Sequence, residues 1–217
     1  MSQREQPGQI VILNGAPRSG KSSIARAIQE QFDGVWMNLG VDRWIEMTPP
    51  RCRPGLGLRP GGERPELEPL VATLYAALYA SVAAHSRLGL NVVVDVGHHD
   101  GYRVPRGILP ACAWRLDGLP VLFVGVRCPL DVILQRRRTT GYLASAPDEV
   151  EAPLPVQRWQ EAVHQPGIYD LELDTALLSP EECAEQIRKR LQAGPPPTAF
   201  QRLAGLDSSA HEECRLG

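Results

Sequence analysis

Residues 15 to 22 read Gly15-Ala16-Pro17-Arg18-Ser19-Gly20-Lys21-Ser22, a loop bracketed by glycines and ending in Lys and Ser. The spacing G-x-x-x-x-G-K-[ST] lets backbone N–H groups close around phosphate oxygens, with Lys21 reaching the β- and γ-phosphates and the Ser22 hydroxyl placed to ligate Mg²⁺. Gly15 through Ser23 are therefore the candidate nucleotide-binding set, and a nucleoside triphosphate with Mg²⁺ is the expected ligand. The sequence holds only 2 lysines, Lys21 and Lys189, against 21 arginines, and one of the two stands at the phosphate position.

Open parallel sheets bind ligands outside the carboxyl ends of their strands, so acids at those ends are the ones to weigh. Asp42 lies just past a strand-like run and could take the proton of a hydroxyl attacking the γ-phosphate; alternatively it caps a helix beginning at Arg43. Asp95 closes the run Val92-Val93-Val94 and would hold Mg²⁺ with Ser22, directly or through water, or else hydrogen-bond the phosphate loop. Arg136-Arg137-Arg138 end a candidate helix, where Arg136 could clamp the transferring phosphoryl group or simply favour the helix dipole. His98 and His99 follow the Asp95 strand without a third ligand at metal spacing, and read as substrate contacts or loop residues. Tyr75 and Tyr79, four apart on a long helix, read as core packing ahead of a substrate platform.

Five strand-like runs position these groups, at 9–14, 35–39, 91–96, 120–126 and 169–174. Between them lie helical patterns at 23–32, 66–88, 129–138 and 155–164, and a weak one at 103–117 interrupted by Pro105 and Pro110. Ser179-Pro180-Glu181-Glu182 is a capping box opening a last helix that ends near Gly194-Pro195. Strands alternating with helices predict a five-stranded parallel α/β sheet covered on both faces, with the phosphate loop at the end of its first strand. The expected organisation is one domain over 1–194, with substrate and lid insertions near 43–66 and 136–152 and a flexible tail over 195–217.

Composition narrows the partners. The 217 residues, 43% hydrophobic, suffice for one full core and leave no room for a second large domain. A net charge of -2 gives no basic excess, so a small-molecule acceptor is expected and nucleic acid is not. The 5 cysteines form no C-x-x-C pair and read as reduced thiols; with no apolar membrane-spanning stretch, a cytoplasmic protein is expected, and a homo-oligomer is left open.

Several segments together resemble the chloramphenicol 3-O-phosphotransferase family. They are Ile12-Leu13-Asn14-Gly15 with the phosphate loop, Gly40-Val41-Asp42, Val92-Val93-Val94-Asp95, Val124-Gly125-Val126-Arg127-Cys128, and His164 followed by Tyr169-Asp170-Leu171-Glu172-Leu173-Asp174-Thr175. The resemblance spans about residues 9 to 192. It implies a phosphate-loop kinase fold, ATP and Mg²⁺ as co-substrates, γ-phosphate transfer to a hydroxyl of a small molecule such as chloramphenicol, and a base at Asp42. Two segments depart from the family. Arg136 matches a lid arginine, but Thr140-Gly141-Tyr142-Leu143 replaces the Arg and Gly-Asp-Arg that follow it in the family, which moves the lid charge toward Arg137 and Arg138. The Pro- and Arg-rich stretch 48–65 shows little similarity where the acceptor should bind. The competing readings are a kinase of a sugar, nucleoside or RNA end, and a regulatory module that binds ATP without turnover.

Overall fold

The computed structural model describes residues 6–53, 65–139 and 153–206. Its strands are β1 (Ile10–Asn14), β2 (Trp36–Asn38), β3 (Asn91–Val96), β4 (Val121–Arg127) and β5 (Leu171–Asp174), arranged in the order β2-β3-β1-β4-β5. Every neighbouring pair is parallel, with β1 at the centre: Ile12 faces Val94 on one side and Phe123 on the other.

Side chains alternate across a strand, and here both faces are covered, so the central strands need apolar residues at every position. Ile10 and Ile12 join Val92, Val94 and Phe123 in one core, while Val11 and Leu13 join Val93, Leu122 and Val124 in the other. The first core is closed by α3 (Glu68–Arg87), α4 (Ile108–Arg115) and α8 (Ala199–Ala204), and the second by α1 (Lys21–Gln31) and α7 (Pro180–Ala193). Three further helices, α2 (Val41–Glu46), α5 (Leu130–Thr139) and α6 (Pro153–Ala162), follow β2, follow β4 and precede β5. Near the phosphate loop, Ala16, Cys128, Ile133 and Val163 form a third, smaller cluster flanked by Val132 and Trp159.

Local chemistry sets the helix ends. α7 opens on the expected capping box: Glu182 N donates to Ser179 Oγ at 3.1 Å and Ser179 N to Glu182 Oε2 at 2.8 Å. α1 starts at Lys21, two residues before the apolar pattern, because Gly20 at φ 96° ends the loop in the left-handed region. α4 keeps Pro110 in its first turn, where the missing N–H costs nothing, and excludes Pro105.

The tail expected to be loose after Pro195 is ordered at least to residue 206. Asp170 Oδ1 accepts from Thr198 N at 2.7 Å and Ala199 N at 3.0 Å, fixing the first turn of α8. Phe200 then packs edge-on against Phe123 at 5.0 Å and stacks on Tyr79 at 6.4 Å. The apolar set Ala199, Phe200 and Leu203 is too short a pattern to stand out in the sequence, yet all three are buried. Residues 207–217 lie outside the described residues, as do 54–64 and 140–152 within the expected insertions.

Candidate active site

The phosphate loop begins where β1 ends. Gly15 is required by space: a Cβ there would stand 2.4 Å from the Val126 carbonyl and 2.9 Å from Ser19 Oγ. Ala16 is buried, Pro17 and Arg18 are exposed, and Arg18 takes a left-handed φ of 66° before Gly20 does so at 96°. Ser23 lies in the first turn of α1, its N–H bonded to Gly20 O at 3.1 Å. That first turn carries no acidic side chain of its own, so the positive end of the helix dipole faces the loop.

Lys21 reaches back over the loop, donating to Gly15 O at 2.8 Å and Ala16 O at 2.7 Å. Burial lowers its ammonium to about 8, against the opposing pull of Asp95 and Asp42. Ser22 Oγ donates to Asp95 Oδ2 at 2.6 Å, realising the hydrogen bond between the acid and the phosphate loop. The other carboxylate oxygen, Oδ1, abuts Gly40, where an added Cβ would lie 1.7 Å from it. Gly40 therefore sits where the β2 segment crosses onto the Asp95 carboxylate, and its backbone, at φ −54°, is otherwise ordinary.

Gly40 is also the residue that precedes α2, so Asp42 falls in the first helical turn and makes no side-chain cap. The alternative role as cap of a helix starting at Arg43 is not the one adopted. Asp42 is open to solvent on one side while protein atoms crowd it on the other. That partial burial raises its pKa above the ordinary carboxylate value, Asp95 and Glu46 adding to the effect and Lys21 and Arg18 opposing it. Asp42, Asp95 and Lys21 are thus mutually coupled at the carboxyl ends of β1, β2 and β3.

Arg136 lies against the back of the loop. Its guanidinium donates to Thr175 O at 2.7 Å, Thr175 Oγ1 at 3.1 Å, Arg18 O at 3.4 Å and Cys128 Sγ at 3.4 Å. Arg137 is half-buried on the same helix; the side chain of Arg138 and the segment 140–152 are outside the described residues.

The β3–α4 loop supplies an aromatic wall. His98 is 2% exposed, its Nε2 lies 2.7 Å from the Tyr79 hydroxyl, and its ring lies 4.5 Å from that of Tyr75. Burial keeps His98 neutral, with a pKa lowered to about 3, and lowers that of His99 as well. His99 packs on Tyr102 at 4.7 Å and edge-on against Trp159 at 5.8 Å. Tyr79 belongs to the core as expected, whereas Tyr75 is only partly buried and its hydroxyl lies within electrostatic reach of Asp42.

Asn14, the residue before the loop, ties these parts together. Its Oδ1 accepts from His98 N at 2.8 Å, and its Nδ2 donates to Val163 O at 2.8 Å and Tyr169 Oη at 3.0 Å. His164 Nδ1 lies 2.9 Å from the same hydroxyl; burial lowers this imidazole to about 4 and raises the Tyr169 phenol to about 12.

Sequence reasoning gave no role to Asn14, Thr175 or Trp159. Thr175 stands one residue past the carboxyl end of β5, the location that singled out Asp42 and Asp95, but only acids were sought there. Trp159 carried no signal, because its partner His99 comes from a distant loop.

Residues 8–192 match the family model described as chloramphenicol phosphotransferase-like protein. A Mycobacterium tuberculosis protein, from two strains and described as a candidate O-phosphotransferase, is 27% identical over 220 residues, covering 90% of this chain and 88% of the relative. Among solved structures, Mycobacterium tuberculosis APS kinase in complex with AMPPNP and APS aligns at a TM-score of 0.59 and 21% identity, covering 86% of this chain and 99% of that one. Acinetobacter baumannii shikimate kinase in complex with shikimate aligns at 0.55 and 16% identity, covering 85% and 93%. The fold is that of the phosphate-loop kinases.

Proposed function

The chain belongs to the chloramphenicol phosphotransferase-like family, and from that premise we propose that it is an ATP-dependent O-phosphotransferase, moving the γ-phosphate of ATP to a hydroxyl of a small molecule, chloramphenicol or a related compound. The observation that carries this reading is the group Lys21, Asp42 and Asp95, interacting electrostatically beside a phosphate loop that runs into a helix N-terminus. The candidate relative and the nucleotide-bound kinase of the same fold support it.

The residues fit the two co-substrates. Ser22 Oγ and the Asp95 carboxylate are hard oxygen donors of the kind Mg²⁺ prefers, and they are already within hydrogen-bond distance of one another. Bound there with ATP, Mg²⁺ would neutralise charge on the β- and γ-phosphates. The turn of the loop between Gly15 and Ser23 would cradle the phosphates, and Lys21 would exchange its carbonyl partners for phosphate oxygens. A buried ammonium with a lowered pKa gains most when an anion arrives, because the anion restores the charged form.

Asp42 takes the acceptor's proton. A carboxylate with a raised pKa is a stronger base than an ordinary one, which suits it to receive a hydroxyl proton as the O–P bond forms. The acceptor lies against Tyr75, His99 and Tyr102, with His98 buried behind them. These rings offer flat, uncharged surface, which favours a ring-bearing neutral alcohol over a phosphorylated one. Arg136 contributes through the phosphate loop that it touches.

The test is ADP release from ATP and Mg²⁺ with and without chloramphenicol, comparing the natural protein with Asp42→Ala. Acceptor-dependent turnover reduced by about 10²- to 10⁴-fold in the variant is expected from loss of a general base. Turnover unchanged in Asp42→Ala would remove the base from the reading. Nucleotide binding without chloramphenicol-dependent release would remove this acceptor.

A further inference from the structure

Behind the phosphate loop, a threonine from the end of β5 and an arginine from α5 meet the loop's backbone together. Thr175 Oγ1 donates to Ser19 O at 2.7 Å, and Thr175 N to Arg127 O at 3.0 Å, so one residue links the loop to β4. Arg136 grips that threonine at both its hydroxyl and its carbonyl, and also reaches Arg18 O. The stretch they hold is the unusual part of the loop. Arg18 at φ 66° and Gly20 at φ 96° flank Ser19, and a left-handed conformation at a non-glycine residue persists only where its surroundings enforce it. A Cβ at Gly20 would have Thr175 Cγ2 at 3.5 Å and Arg136 at 3.6 Å as its nearest neighbours, so the two side chains form the wall against which the loop turns.

We propose that Thr175 and Arg136 are positioning residues, a brace that holds Arg18, Ser19 and Gly20 in the shape that cradles the nucleotide phosphates, so that Arg136 acts on the nucleotide through the loop. The proposal rests on the nucleotide-binding part of the reading above and on no particular acceptor. Its consequence differs from that of an arginine clamping the transferring phosphoryl group. The loop cradles phosphates that ADP and ATP share, so a slackened brace weakens both nucleotides equally. A clamp on the γ-phosphate would matter for the triphosphate alone.

Calorimetric titration with ADP and with AMPPNP separates the two. Thr175→Val, which keeps the shape and removes the hydroxyl, is expected to weaken both ligands by about tenfold, the scale of one to two lost hydrogen bonds. Thr175→Ser, which keeps the hydroxyl, is expected to stay within about threefold of the natural protein on the same scale. Arg136→Lys should match Thr175→Val for both ligands, and the double variant should be no weaker than the worse single one, because the two residues act as one unit. Should Thr175→Val fail to fold by circular dichroism, Arg136→Lys and Thr175→Ser carry the same comparison. The brace is overturned if Arg136→Lys weakens AMPPNP while sparing ADP, or if Thr175→Val binds both as the natural protein does. If the natural protein binds neither ligand, the nucleotide reading falls and the brace with it.

Discussion

Gly40→Ala is a small change that the site should not tolerate. The added methyl carbon would stand 1.7 Å from Asp95 Oδ1, and 2.9 Å from its Cγ, where ordinary contacts begin near 3.4 Å. Asp95 cannot yield without loss, because its Oδ2 holds Ser22 at 2.6 Å and its backbone is paired with Leu13 in the middle of the sheet. The carboxylate or the β2–α2 connection must therefore shift by more than 1 Å on the order of magnitude that costs about a hundredfold in rate when catalytic groups are misplaced. Overpacking of this kind also costs about 1–3 kcal/mol, a fall in Tm of roughly 2–12 °C for a chain of this size. The assay pairs Mg²⁺·ATP-dependent ADP formation with thermal melting, and uses Gly205→Ala as control, since a Cβ there meets nothing closer than 3.5 Å at a φ of −75°. ADP binding without Mg²⁺ should stay within about threefold, because the loop glycines are untouched. Turnover near that of the natural protein, or a crystal structure of the variant with the Ser22–Asp95 bond intact, would refute the reasoning.

Other consequences follow from particular groups. Lys21 carries a folded-state pKa of about 8, below its ordinary 10.5, so its buried charge costs stability below pH 8 and that cost is relieved as the pH rises toward 10.5. Nucleotide, by restoring the charge, should bind with proton uptake above pH 8 and weaken about tenfold between pH 7 and 9; calorimetry in two buffers of different ionisation enthalpy would read this, and a flat profile would contradict it. Asp42, with its raised pKa, should give an acid limb in kcat lying above the ordinary carboxylate range, read from a pH–rate profile and absent from the residual rate of Asp42→Ala. Asn14→Leu would leave His98 N unpaired and take one partner each from Val163 O and the Tyr169 hydroxyl, and should destabilise the fold by about 1–3 kcal/mol in urea titration. Phe200→Ala, emptying the contact between α8, Phe123 and Tyr79, should cost about 3–5 kcal/mol by the same measurement.

The phosphate loop, the five strands and the capping box of α7 were legible because each is specified over a few consecutive residues. A buried parallel strand needs an apolar run, a phosphate cradle needs glycines at fixed spacing, and a capping box needs Ser and Glu three apart. Asp42 and Asp95 were reachable by one further step, since chain order alone puts the ends of parallel strands on one side of the sheet. What the sequence could not determine depends on residues far apart in the chain. Gly40 is required by a carboxylate 55 positions away, which no local pattern encodes. Arg136 stands where the sequence suggests a lid, yet its hydrogen bonds go to Thr175 and the loop, because α5 and the end of β5 converge behind Gly20. The residues after Pro195 carry the composition of a tail, and only Asp170 and the exposed flank of the first core decide that they fold back as α8. Short-range chemistry thus determined which residues are candidates for phosphate chemistry, while packing across the sheet decided which of them lie together.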